Sequence, residues 1–321
     1  MKTGLHSFRK CLCSLAIALV FYHPSYSQLS AGNYFEAGVT IGPMVFMGDL
    51  GGHQGIGTTF LKDYNMNATK LTYGIYIAAH PSELLGIRLS ANFGSIEGDD
   101  NYIVNKGTEE VARLNRNLNF KSSITEANLL FEVYPTVLFE DQPTDQWGRL
   151  RPYGLLGVGV FHFNSMGQYV DPNTSATTWV YLQPLHTEGE GFVANRPNYA
   201  LTQIEIPMGF GLKYYVSDKV NLGLEFLYRK TFTDYIDDVS TTFVDPAVLA
   251  ANLPSGTSVI ATAMSNKSPL QGTPGTGYNP GDKRGDLTQN DAFFTLALKV
   301  GIRFGDKNNY SSSMRCPLLR F

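Results

Sequence analysis

Cysteine is scarce in this chain. There are three, and Cys11 and Cys13 lie within the first apolar run, Cys11 to Phe21. Arg9 and Lys10 precede that run, and Ser25 and Ser27 stand at the −3 and −1 positions before Gln28. A basic start, a short apolar stretch and a small-x-small boundary predict a secretory signal peptide over residues 1–27. The run is too short to span a bilayer as a helix. Its cysteines precede the boundary, the wrong place for an acylated lipoprotein cysteine. Cleavage would leave roughly 290 residues with Cys316 alone, so an internal disulfide framework is excluded.

A second long apolar run is also missing, which excludes transmembrane helices. Charge of one sign is not in excess: the formal net charge is −3, and nothing electrostatic favours nucleic acid. Catalytic context is thin. His53, His80 and His186 have no serine-histidine or G-x-S-x-G surroundings. His162 has Phe161 and Phe163 facing the other way, and reads as a lumenal filler before a general base. No spacing of histidines or carboxylates suggests zinc. We therefore expect no enzyme, no cofactor and no small-molecule substrate.

What is plentiful is alternation. From Phe294 to Phe304 every second residue is large and apolar, with Thr295, Ala297, Lys299, Gly301 and Arg303 between them. Seven further segments share this period: Tyr34 to Met47, Thr69 to Ala79, Ile87 to Phe93, Leu118 to Tyr134, Tyr153 to Phe163, Gln203 to Val216 and Val220 to Tyr228. A strand puts alternate side chains on opposite faces, so each segment has an apolar stripe and a polar one. In a soluble sandwich the apolar stripe would point inward; in a membrane barrel it points to lipid.

Loop length decides between the two. Three connections are short or modest: "HPSELLG", "SDK" and "TVLFEDQPTDQWGRLR". The other four, around 48–68, 94–117, 164–202 and 231–290, are long. Segregation of short and long loops to opposite ends is the habit of outer-membrane barrels, and eight is an even strand count. The predicted fold is all-β, an eight-stranded antiparallel transmembrane β-barrel with a closed lumen, over residues 28–304. Localisation follows as the bacterial outer membrane, with its lipid as one partner.

The polar stripes would then contribute Glu36, Arg88, Glu126, Glu132, Glu205, Lys213, Glu225, Arg229, Lys299 and Arg303 to the interior, five acids and five bases. An eight-stranded lumen is just wide enough to be filled by side chains, and an unpartnered buried charge is costly. The equal count predicts a salt-bridged lumen rather than a pore. Glu225 and Arg229 lie four apart on one strand, so each needs a partner from another strand, such as Lys213, Glu205 or Lys299.

Beyond the terminal aromatic Phe304, residues 305–321 read as a periplasmic tail, polar first and then apolar and basic. Arg315, Cys316, Leu318, Leu319 and Phe321 form a candidate partner contact, with Cys316 either inert or in an intermolecular disulfide. Asp234, Asp237 and Asp238 surround Tyr235. They read as a solvated turn bonding local amides, with a calcium site of three oxygens as the alternative. The Gly-, Pro- and Ser-rich stretch 241–290 reads as a mobile surface loop, with one short helix capped by Asp245 and started by Pro246.

"RKTFTDYIDDVS" (Arg229 to Ser240) follows "GFGLKYYVSDKVNLGLEFLY". Together with "MGDLGG" (Met47 to Gly52), "RNLNFKSSITEANLLFEVYP" (Arg116 to Pro135) and "RPYGLLGVGVFHFN" (Arg151 to Asn164), it resembles the PorG-like outer-membrane proteins of the Bacteroidota type IX secretion system. The most specific piece is Thr231 to Ser240, and the family-like residues are Arg229, Thr231, Asp234, Tyr235, Asp237 and Asp238; the loops 166–200 and 241–290 carry none of the likeness. The resemblance implies a structural, non-enzymatic component that associates with a periplasmic ring of a lipoprotein and its partner subunit. The other readings are a generic small barrel of the OmpX kind, acting as adhesin or envelope stabiliser, and a lipid-modifying enzyme.

Overall fold

The computed structural model describes residues 34–50, 66–103, 108–139 and 149–304. The signal-peptide segment, His53 and the tail with Arg315, Cys316, Leu318, Leu319 and Phe321 lie outside them. Eight long antiparallel strands close a ring: β1 (Tyr34–Met47), β2 (Lys70–His80), β3 (Leu85–Asp99), β4 (Asn119–Val133), β5 (Leu150–Val170), β7 (Thr202–Tyr215), β8 (Val220–Thr231) and β9 (Ala292–Phe304). Each pairs with its sequence neighbours among these, and β1 pairs with β9 to complete the closure. Closure leaves no edge in the wall, so every strand's backbone groups can be satisfied within hydrocarbon. Among the described residues, no helix is long and apolar enough to cross a membrane.

A ninth strand is an addition to the expected eight. β6 (Thr177–Tyr181) pairs only with the far end of β5, from Met166↔Tyr181 to Val170↔Thr177. It extends a hairpin beyond the ring, and its five residues were too few for a period to show.

Alternation sorts the side chains as a membrane barrel requires. Phe35, Ile75, Ile77, Val158, Phe210 and Leu298 point outward and are exposed, Phe35 by 65% and Ile75 by 61%. The partners between them point inward and are buried. A water-soluble sandwich would hide the first set, so the apolar stripe faces lipid. The glycines of "YGLLGVGVFHF" belong to the same logic. Gly157 and Gly159 point inward, where a β-carbon on Gly159 would overlap Asn128 and stand 2.9 Å from Glu205 Oε1.

One end carries the short connections 81–84, 134–149 and 216–219; the other carries 48–69, 100–118, 171–201 and 232–291. The described parts of the long set are folded. Among the described residues three α-helices lie within it: α1 (Thr108–Arg116), α2 (Pro246–Asn252) and α3 (Ser255–Ser265). Asp245 caps α2, its side chain accepting from the Ala247 amide at 2.8 Å, with Pro246 in the first turn. The expectation of a mobile loop over 241–290 is corrected here. Phe243, Leu249, Ala261 and Met264 are buried, so apolar residues spaced too irregularly to show a period still pay for order by burial.

Candidate functional site

The lumen is filled in layers. At the short-loop end, Tyr34 stacks on His80 with ring centroids 4.3 Å apart. Arg303 lies over the Tyr34 ring at 3.7 Å and over Tyr215 at 4.7 Å, and approaches Glu83 at 3.5 Å. Val137, from the 3-10 turn Pro135–Phe139, is partly buried against the lumenal cluster that Leu130, Tyr134, Tyr153, Leu155 and Leu227 form. Arg303 is therefore a rim residue, partly exposed.

Above it sits a group of three acids and three bases. Lys213 Nζ is 3.1 Å from Glu36 Oε2, and Glu36 also accepts from Tyr76 at 2.8 Å and Asn221 at 3.0 Å. Arg88 makes a two-pronged pair with Glu225 at 2.7 and 3.1 Å and reaches Glu132 at 3.2 Å. Lys299 lies 3.1 Å from Glu225 and 3.8 Å from Glu132. Tyr153 donates to Glu225 at 2.7 Å, and Tyr134 donates to Glu132. Glu225 thus finds its partners on β3 and β9. All six charged side chains are buried, so hydrogen-bonded pairing is what makes the layer tolerable.

One level higher, Arg229 reaches Glu126 on β4, and Asn92 donates to Glu126 at 2.6 Å. A cavity of about 20 Å³ lies between the two charged levels, lined by Arg88, Ser90, Asn92, Arg229 and Thr295 among others. It has room for a single water. Glu205 departs from the expected matching: it is fully buried and forms no ion pair among the described residues. Arg229 is already held by Glu126, and Arg303 is spent at the rim.

The long-loop end is apolar. Met44, Phe46, Ile96, Phe120, Phe161, Phe163 and Phe293 point inward and pack with Ile236 and Val239, which the β8–β9 connection brings over the mouth. Phe161 and Phe163 inward means His162 outward. It is exposed and hydrogen-bonded with Thr202 Oγ1 at 3.0 Å, so the lumenal placement expected of His162, as filler or as base, is corrected. His80, in turn, is buried inside the barrel at the end of β2.

The segment Thr231 to Asp238 ties the lid to the wall. Thr231 is buried and donates to the Asp291 carbonyl. Tyr235 stacks on Tyr199 at 4.8 Å. Asp237 accepts from the Leu50 and Val239 amides at 2.8 and 3.0 Å. Asp238 accepts from Tyr199 at 2.6 Å and Thr187 at 2.5 Å. Its φ of 65° is a left-handed conformation that Asp tolerates. Asp234, Asp237 and Asp238 are all buried, so the solvated-turn reading gives way to a buried anchor. Among the described residues, no group of three or more His, Cys, Asp or Glu side chains is placed to hold a metal ion.

Sequence reasoning missed the cations that serve this lid. Arg284 donates to Glu188 at 2.9 Å and to the Asp238 carbonyl at 2.5 Å. Arg116 grips Asp100 at 2.9 and 2.8 Å and donates to the carbonyls of Asp49 and Arg284. Loop residues have no period, and no signal in the sequence marks them. The lumenal tyrosines Tyr76, Tyr134 and Tyr153 were legible in principle, since each continues an inward parity.

Such a molecule has an apolar wall, a plugged bore and a folded cap. It is a barrel of the outer membrane. No family model matches the chain, and no curated protein matches its sequence. Among solved structures it is similar to Ail, the attachment invasion locus protein of Yersinia pestis, with 7% identity over 85% of this chain and 97% of that one, TM-score 0.32. A major outer membrane protein from Thermus thermophilus gives 15% identity over 85% and 100%, TM-score 0.39. OprG from Pseudomonas aeruginosa gives 11% over 86% and 97%, TM-score 0.33. At these identities and TM-scores the likenesses add nothing to what wall and lumen already say.

Proposed function

We propose that this barrel is a non-enzymatic structural component of the outer membrane, acting through its surfaces and not through its bore. The observation that carries this is the sealed lumen: the cluster of Leu130, Tyr134 and Tyr153 below, paired charges in the middle, and Ile236 with Val239 above. A bore filled in this way conducts nothing larger than a proton or a water, so binding remains as the mode of action. The finer reading, an anchor for the periplasmic ring of a type IX secretion system, rests on the resemblance in Arg229 to Ser240 and the strand segments around it. In that reading the tail 305–321 and the short turns contact the ring lipoprotein and its partner subunit.

Affinity purification from solubilised membranes tests it. The anchor reading expects co-purification of periplasmic ring subunits with the intact chain and their loss when 305–321 is deleted. Recovery of the barrel without them in both cases refutes it. The second reading is a small barrel acting as adhesin or envelope stabiliser, favoured by the folded cap, whose hairpin β5–β6 extends beyond the wall. It expects cell-surface phenotypes from cap deletions that leave periplasmic complexes untouched.

A further inference from the structure

The cap buries more carboxyls than cations. At its foot stand Asp49, Asp234, Asp237 and Asp291, all close enough to repel one another. These carboxylates hold the lid. Asp237 takes the amides of Leu50 and Val239, and Asp291 Oδ2 takes that of Ile236 at 2.7 Å. Ile236 and Val239 are the residues that plug the mouth.

Among the described residues, charge around this group does not balance. Arg116, from α1, faces Asp49 and Asp237 but is already committed to Asp100 through two hydrogen bonds. Arg113 lies near Asp49 and Asp100. From the β5–β7 connection Glu188 adds another negative charge, itself paired with Arg284. Asp291 is 1% exposed, and its Oδ1 has no hydrogen-bond partner among the described residues. Like charges crowded together out of water cannot all remain ionised, and a bare buried carboxylate is costly.

We propose that the cap is a proton-held lid: the Asp49, Asp234, Asp237 and Asp291 group keeps bound protons while the lid is closed and releases them as it lifts. Burial, followed by mutual repulsion, pushes Asp237 and Asp291 well above the usual carboxylate range. Burial pushes Asp234 up to about 9. On the far side of the same lid it pushes Glu190 up to about 8. A carboxyl raised in the closed state binds more protons there than in the open state. Closure is therefore fully favoured below the ordinary carboxyl range near pH 4, and weakens as pH rises from there through about 9. Lifting would uncover the apolar residues around Ile236 and Val239, so the lid sets when that surface is presented.

Hydrogen exchange of the full chain in lipid vesicles, followed from about pH 5 to about pH 10 and corrected for intrinsic rates, reads the lid directly. For each proton released on opening, the opening constant at Leu50, Ile236 and Val239 should rise about tenfold per pH unit, while amides in β2 and β3 stay protected. Asp291→Asn, alone and with Asp234→Asn, should flatten that dependence. The wild-type profile decides even where a variant fails to insert: protection at the three amides that is level across the range overturns the proposal. A steep profile unchanged in inserted variants overturns it too. Protection restored at about pH 9 by millimolar calcium and removed by chelator would assign the group to a cation instead of protons.

Discussion

Arg229 on β8 and Glu126 on β4 meet across the lumen, three strands apart in the ring, with Nη2 2.5 Å from Oε1 and Nε 3.1 Å from Oε2. Both side chains are almost fully buried. Arg229→Met strips Glu126 of its counter-charge and should cost about 3–5 kcal/mol. Replacing both, Arg229→Met with Glu126→Leu, should recover most of that, because no bare charge remains. Urea unfolding in vesicles measures it; a single-variant loss of about 1 kcal/mol or less, the worth of an exposed pair, would mean that water reaches the site.

Glu205 should behave in the opposite way. It is buried without an ion pair among the described residues, so Glu205→Gln keeps the shape and replaces a carboxyl that has no cation partner to lose. Stability should be unchanged or higher at neutral pH. If Glu205→Gln instead weakens the barrel as much as Arg229→Met does, a cation partner exists that the static arrangement hides.

These two glutamates show where the sequence was legible and where it was not. Period two places Glu126 and Glu205 on the inner face without ambiguity, since one greasy stripe per strand cannot face both ways. The shared face of Arg88, Lys213 and Lys299 follows from the same alternation, and the segregation of loop lengths is what turns that face to the lumen. Pairing does not, because it depends on stagger between strands that are not neighbours, as with Arg88 and Glu225. The cap was least legible. Arg116 comes together with Asp237 and Arg284 only after two long connections, 100–118 and 232–291, have folded, and a buried anchor and a solvated turn are written with the same residues.

The wall itself makes a third prediction. Ile75 is midway along β2, on the lipid-facing stripe and 61% exposed, so Ile75→Arg places a charge near the bilayer midplane and should cost about 2–4 kcal/mol. Leu287, on the cap, is as exposed at 65%, yet Leu287→Arg should fall within about 0.5 kcal/mol, since its surroundings are water. Folding yields into vesicles, compared for the two variants, separate the environments. Equal effects would remove the case for lipid around the barrel.

Gly159 carries the last prediction, because it is where packing and charge meet. Its missing side chain leaves the space that the Asn128 amide occupies beside Glu205. Asn128 is fully buried on β4 directly opposite Gly159, and Gly159 is in turn opposite Glu205 on β7. One methyl group there has no direction in which to yield, since the wall is closed on both sides. Gly159→Ala should therefore cost about 1–3 kcal/mol from overpacking, and Asn128→Ala in the same chain should return part of it by vacating the space. Gly154, on the same strand, is the control: a β-carbon there meets nothing within 4 Å, and Gly154→Ala should be neutral or stabilising through the unfolded chain. Equal losses at both glycines would point to backbone freedom, and not the crowded lumen, as the reason β5 is rich in glycine.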